Sequence, residues 1–172
     1  MKEIVRFGVI LALICIVASG LLAGVNSLTK ARIIAQAKTE EEAALSEVLP
    51  EAVNFEPIQS DGDIIYYKGY NKDNKFVGVA FKASKKGYSS VIETMAGMTK
   101  DGTITAIKIL NQNDTPGLGA QVSEPDFTGQ FKNKKDLNEV QAITGATISS
   151  KAVIDSVKNK AEEIKALIKD EK

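Results

Sequence analysis

The sequence predicts an α+β protein: an N-terminal transmembrane helix and helical stalk, then an antiparallel-sheet domain that ends in a C-terminal helix. Three observations carry this reading. Phe7 to Val25 (FGVILALICIVASGLLAGV) is a nineteen-residue run without a charge, about what a bilayer core requires. Four strand-like runs then follow one another, as in an antiparallel meander. From Lys151 onward, Val153, Val157, Ala161, Ile164 and Ile168 fall three or four apart, the spacing of one helix face.

Composition excludes several kinds of chemistry. Lysine plus arginine equals aspartate plus glutamate at 22 each, and no basic stripe of the kind that binds nucleic acid is visible. Histidine and tryptophan are absent and Cys15 is the only cysteine. The usual general base and the commonest metal ligand are therefore missing. One thiol holds neither a zinc ion nor an iron–sulfur cluster. No catalytic side chain and no metal site are expected, so any redox chemistry must rest on an organic cofactor.

Residues 1–28 are assigned to the anchor. The apolar run continues past the small cluster Ala18-Ser19-Gly20, which favours a retained span over a cleaved signal peptide. Bulky Leu13 and Ile14 precede Cys15, so that thiol does not read as a lipid-attachment site. Two basic residues, Lys2 and Arg6, precede the span and three, Lys30, Arg32 and Lys38, follow it, so flanking charge alone leans slightly against a cytoplasmic N-terminus. Residues 29–50 are assigned to the stalk, because they are rich in Ala, Glu, Leu and Lys until Pro50 stops the helix. Ile34, Ala37, Ala44, Leu45 and Val48 are its expected buried stripe.

Residues 51–172 form the globular domain. Its expected strands are Ile64–Tyr70, Phe76–Ser84, Tyr88–Thr99 and Thr103–Leu110. Asn71-Lys72-Asp73-Asn74 joins the first pair, and Lys100-Asp101-Gly102 joins the last through a tight turn.

Two short strings carry the functional interest. Thr115-Pro116-Gly117-Leu118-Gly119 places Pro and Gly at the central positions of a type II turn. Such a small loop can lie flat against a planar ring, with Leu118 as the apolar contact. Thr144-Gly145-Ala146-Thr147-Ile148-Ser149-Ser150 precedes the last helix, with Ser149 or Ser150 as the expected N-cap. Thr147 then sits just ahead of a helix N-terminus, where free amides and the dipole favour an anion such as phosphate. Each string also has a plainer reading, a simple turn and a simple cap.

Taken together with the anchor, the two strings resemble the G-subunit family of the Rnf electron transport complex. That family belongs to the covalent-FMN-binding domains, which include the C subunit of the sodium-translocating NADH:quinone reductase. The resemblance implies one covalent FMN, joined by a flavin transferase through its phosphate to Thr147. It implies that Thr144, Gly145 and Ala146 shape the approach, that Ile148 and Ser149 offer amides to the phosphate, and that Thr115, Pro116, Gly117, Leu118 and Gly119 lie beside the isoalloxazine. It makes residues 51–172 an FMN-binding domain. This chain departs from the family pattern at Gln141, where relatives usually carry an acid. It also departs at Gln112 and Asp114, where they usually read His-x-Glu before Thr-Pro.

The resemblance further implies a single-pass protein of the cell (inner) membrane, N-terminus cytoplasmic and flavin domain on the extracytoplasmic face. Its role would be an electron-carrying subunit of a membrane-bound, Na+- or H+-translocating ferredoxin:NAD+ oxidoreductase, with little activity alone. Its partners would be the other subunits of that complex, the transferase and membrane lipid, with no nucleic acid. A stand-alone anchored extracytoplasmic flavoprotein reductase fed by membrane quinol is the alternative, and a non-redox anchored domain is the third.

Overall fold

The computed structural model describes residues 2–60 and 62–170. The chain divides into two compact units, Met1–Thr39 and Glu40–Lys172. Helix α1 runs from Lys2 to Val48, and among the described residues it is the one helix long and apolar enough to cross a membrane. None of its apolar window is buried inside the molecule, as expected of a surface meant for lipid rather than for a protein core. Pro50, two residues past its end, cannot continue a helix.

In the second unit five antiparallel strands lie in sequence order: β1 (Asn54–Ser60), β2 (Asp63–Tyr70), β3 (Phe76–Lys86), β4 (Val91–Thr99) and β5 (Ile104–Asn111). Four of them match the expected runs to within a few residues. β1 lies outside those runs, since Asn-Phe-Glu-Pro-Ile-Gln-Ser contains Pro57 and lacks clean alternation. It pairs only with β2 and is an edge strand, the place in a sheet that tolerates proline. Tyr88 to Ser90 are the other difference. The expected fourth-strand run includes them, but they form a turn ahead of β4.

Strand alternation sends side chains to two different partners. Helix α3 (Thr147–Asp170) packs on β3 and β4. Its Val153, Val157 and Ile164 are fully buried in one cluster with Val79, Phe81, Ala96 and Met98. A short helix α2 (Pro125–Thr128) and flanking 3-10 turns add Phe127 and Phe131 to that cluster. Replacing a buried phenylalanine such as Phe81 by alanine costs about 3–5 kcal/mol. On the other face, Ala44, Leu45 and Val48 at the end of α1 pack with Ala80 and Met95. The Thr105 hydroxyl donates to the Val48 carbonyl there. Of the expected stalk stripe, Ile34 and Ala37 are exposed and only these last three positions are buried.

Candidate functional site

Both strings fold as turns closed by the same pattern of bonds. The Leu118 N–H donates to the Thr115 carbonyl at 3.1 Å, with Pro116 and Gly117 between them. The Ala146 N–H donates to the Ile143 carbonyl at 3.0 Å, with Thr144 and Gly145 between them. In each turn the second central residue is a glycine in the left-handed region, at φ +73° for Gly117 and +81° for Gly145. A type II turn demands that backbone and glycine meets it without strain. The two turns touch, since a Cβ on Gly145 would stand 3.4 Å from Leu118 Cδ2.

Helix α3 begins earlier than the serines imply. Its first residue is Thr147, and its first intrahelical bond runs from the Ser150 N–H to the Ala146 carbonyl at 2.9 Å. Ala146 is therefore at the cap, a residue with no side chain able to cap. Ser149 and Ser150 are inside the first turn, and their hydroxyls are spent elsewhere. Ser150 Oγ donates to the Ala146 carbonyl at 2.9 Å and accepts the Ile143 N–H at 3.0 Å. Ser149 Oγ donates to Asp114. The amides of Thr147, Ile148 and Ser149 precede the first helical bond and lack an acceptor in the helix. An anion is the natural partner for such a group of amides.

Those three residues border a cavity of about 560 Å³, within the range typical of cofactor sites. Thr115, Leu118 and Gly119 line it from one string, and Gly145, Ala146, Thr147, Ile148 and Ser149 from the other. Thr147 is exposed, and its hydroxyl makes no hydrogen bond among the described residues. Leu118 and Ile148 are about half exposed, at 49% and 56%, and so present apolar surface to whatever occupies the cavity. Thr144, Pro116 and Gly117 do not line it. Gly117 faces a neighbouring cavity of about 610 Å³ bordered by Glu124, Asp126, Phe127 and Gln130. Two carboxylates there would repel a phosphate, so the first cavity is the better anion site.

Sequence reasoning missed what holds the cavity together. Asp114, 5% exposed, accepts the N–H groups of Tyr88, Ser89 and Ser90 at 3.2, 2.8 and 2.9 Å, along with the Ser149 hydroxyl. Burial pushes its carboxyl up. The Ser149 hydroxyl and the amides of Ser90, Ser89 and Tyr88 outweigh that and bring it down to about 2. Gln112 Oε1 accepts the Asp114 N–H at 2.9 Å, a bond made inside the loop itself. Gly119 is bare because a Cβ there would stand 2.7 Å from Asp114 Cβ. Gln130 holds the Gln141 backbone, with its Oε1 accepting the Gln141 N–H at 2.9 Å. Tyr88, also missed, lines the cavity. In the sequence Asp114 stands out only as an acid beside the Thr-Pro string, where the resemblance places a glutamate, and nothing there shows the donors it collects.

Residues 87–162 match the FMN-binding domain family, and residues 1–48 match the RnfG N-terminal region. The chain is 34% identical over 181 residues to the G subunit of the ion-translocating oxidoreductase complex of Methanosarcina acetivorans, and the match covers 96% of each chain. It is 34% identical over 184 residues to the G subunit of the Na+-translocating ferredoxin:NAD+ oxidoreductase complex of Acetobacterium woodii, covering 91% of this chain and 89% of that one. Among solved structures it is similar to the C subunit of the Na+-translocating NADH-quinone reductase from Parabacteroides distasonis. That likeness is one of fold, at 22% identity and a TM-score of 0.53 over 74% of this chain and 82% of the other.

Proposed function

The chain belongs to the RnfG family, the G subunits of ion-translocating oxidoreductase complexes, and from that premise we propose that it carries electrons through one FMN esterified to Thr147. The observation that carries the attachment is the meeting, in one cavity, of an exposed threonine hydroxyl with first-turn amides that no side chain caps. A phosphate diester on Thr147 would be stabilised by those amides and by the positive end of α3. FMN, when bound, supplies reversible electron transfer that no side chain of this chain can provide. The protein's part is to hold and shield it. The Thr147 oxygen tethers the phosphate, and the Ile148 and Ser149 amides neutralise it. Leu118 and Ile148 give the ring an apolar surface.

The complex we assign it to is a membrane-bound one; the names of relatives state ferredoxin:NAD+ oxidoreductase activity with translocation of protons or Na+ for them, and we carry that over to this chain. α1 would be a single-pass anchor in the cell membrane with its N-terminus cytoplasmic. Residues 29–50 would serve as a stalk and 51–172 as the flavin domain on the outer face. A tether is useful there, because a lost flavin could not be replaced from the cytosolic pool. A separate flavin transferase would install the FMN, and the other subunits would exchange electrons with it. Migration at the mass of a large assembly, together with other integral proteins, supports this reading. A free monomer would favour the quinol-fed reductase instead.

The attachment is tested in a gel. The denatured polypeptide should fluoresce under ultraviolet light, and Thr147→Ala should abolish the signal. Fluorescence retained in that variant would move the attachment elsewhere.

A further inference from the structure

Tyr88 belongs to neither string, yet it lines the same cavity as Leu118, Gly145 and Thr147. The residue is 67% exposed, which for a tyrosine on a loose loop would mean little. This loop is not loose. The Tyr88, Ser89 and Ser90 amides all end on Asp114. The Gly87 N–H closes the turn on the Ser90 carbonyl at 2.8 Å, and Ser90 Oγ accepts the Asn113 N–H at 2.8 Å. Backbone amides pinned to a buried carboxylate, carrying an aromatic ring left open at a cavity mouth, are what a ligand-facing residue requires.

We propose that Tyr88 is a flavin-contacting residue whose ring covers the isoalloxazine, and that Asp114 is the positioning residue that holds it there. The proposal rests on the attachment to Thr147. A phosphate fixed at the start of α3 leaves the flat ring system to lie along the cavity, between the reach of Leu118 and that of Tyr88. Heteroaromatic rings pack on an aromatic face in offset stacks, and the phenol adds an electron-rich surface that leucine cannot supply. The Asp114 carboxylate joins the Tyr88 turn to the start of α3 through Ser149. The covering ring and the attachment site are therefore set by one side chain.

A phenol in contact with a flavin has an optical signature. The excited isoalloxazine takes one electron from the Tyr88 ring and returns it to the same ring, so no net chemistry occurs and emission is lost. The experiment uses the full chain from cells competent in flavin attachment. Peptide mass first establishes FMN on Thr147, and emission after denaturation counts the flavin. For native Tyr88→Leu, emission relative to the denatured sample should rise several-fold and the shortest fluorescence lifetime should disappear. Tyr88→Phe, which can stack but is a poorer electron donor, should brighten emission while keeping the wild-type shape of the visible absorption band. Asp114→Asn should lengthen the lifetime with the tyrosine still present, and Asp114→Glu should restore the short one. Tyr88 is exposed, so its replacement leaves folding intact. Unchanged emission and lifetimes in Tyr88→Leu, with the flavin mass present, would overturn the proposal. Absence of that mass from the wild type would overturn the attachment itself, and this inference with it.

Discussion

Asp101 and Asp114 stand at opposite ends of β5, in its hairpin and in the loop that follows it. Each carboxyl lies below the usual carboxylate range because hydroxyl and amide donors converge on it. Asp101 takes the Thr99 hydroxyl at 2.7 Å and the Thr103 hydroxyl at 2.9 Å, both two residues away. These bonds hold its carboxyl down, the Thr99 bond most of all. Asp114 takes its donors from residues 24 to 35 positions away in the chain. The first acid closes a turn whose partners are already neighbours. The second brings together a loop before β4, a loop after β5 and the start of α3. The same chemistry is local decoration at one end of the sheet and the assembly of a site at the other.

Of the two carboxylates, Asp114 is the one whose loss should cost most. Asp114→Asn keeps the shape but replaces a charged acceptor of several donors, leaving buried N–H groups poorly paired. The expected loss is about 1–3 kcal/mol in chemical unfolding, with flavin loading reduced as well. Acid should act on the same group. Its folded value near 2 lies below the ordinary value near 4. Its contribution is therefore present in full above about pH 4 and fades as pH falls through about 2. The stability gap between wild type and Asp114→Asn should narrow on acidification over that window, and a gap independent of pH would remove the carboxylate from the explanation.

Gly117→Val sharpens the picture within the site. A Cβ there meets nothing within 4 Å, but the backbone sits at φ +73°, where a β-branched residue is strained by about 1–3 kcal/mol. The turn should rearrange while the core stays folded. A shifted flavin redox midpoint with little change in melting temperature is the expected pair of results. An unchanged midpoint would remove this loop from the flavin's surroundings. Asp101→Asn should do least. Its group is exposed and its partners are two residues away, so flavin loading should match wild type and the melting temperature should shift less than for Asp114→Asn.

How much of this was legible in the sequence follows the same division. The α3 stripe, strands β2 to β5 and the Pro116-Gly117 turn depend on residues close together in the chain, and each was expected near its observed place. Pro57 hid β1, because only the edge position in the sheet makes proline acceptable there. Ser149 and Ser150 have the composition of a cap, but long-range and loop bonds take their hydroxyls, and the helix starts at Thr147 instead. Asp114 and Tyr88 went unrecognised for a related reason. Their importance lies in contacts across two dozen residues or more, which spacing and propensity do not register.

The most direct test of the account is the mass of the proteolytic peptide that contains Thr147, from protein matured with its flavin transferase. This peptide should carry the mass of one FMN joined through a phosphoester, with fragmentation placing it on Thr147. An unmodified Thr147 peptide alongside flavin found on another residue, or no flavin at all, would contradict it.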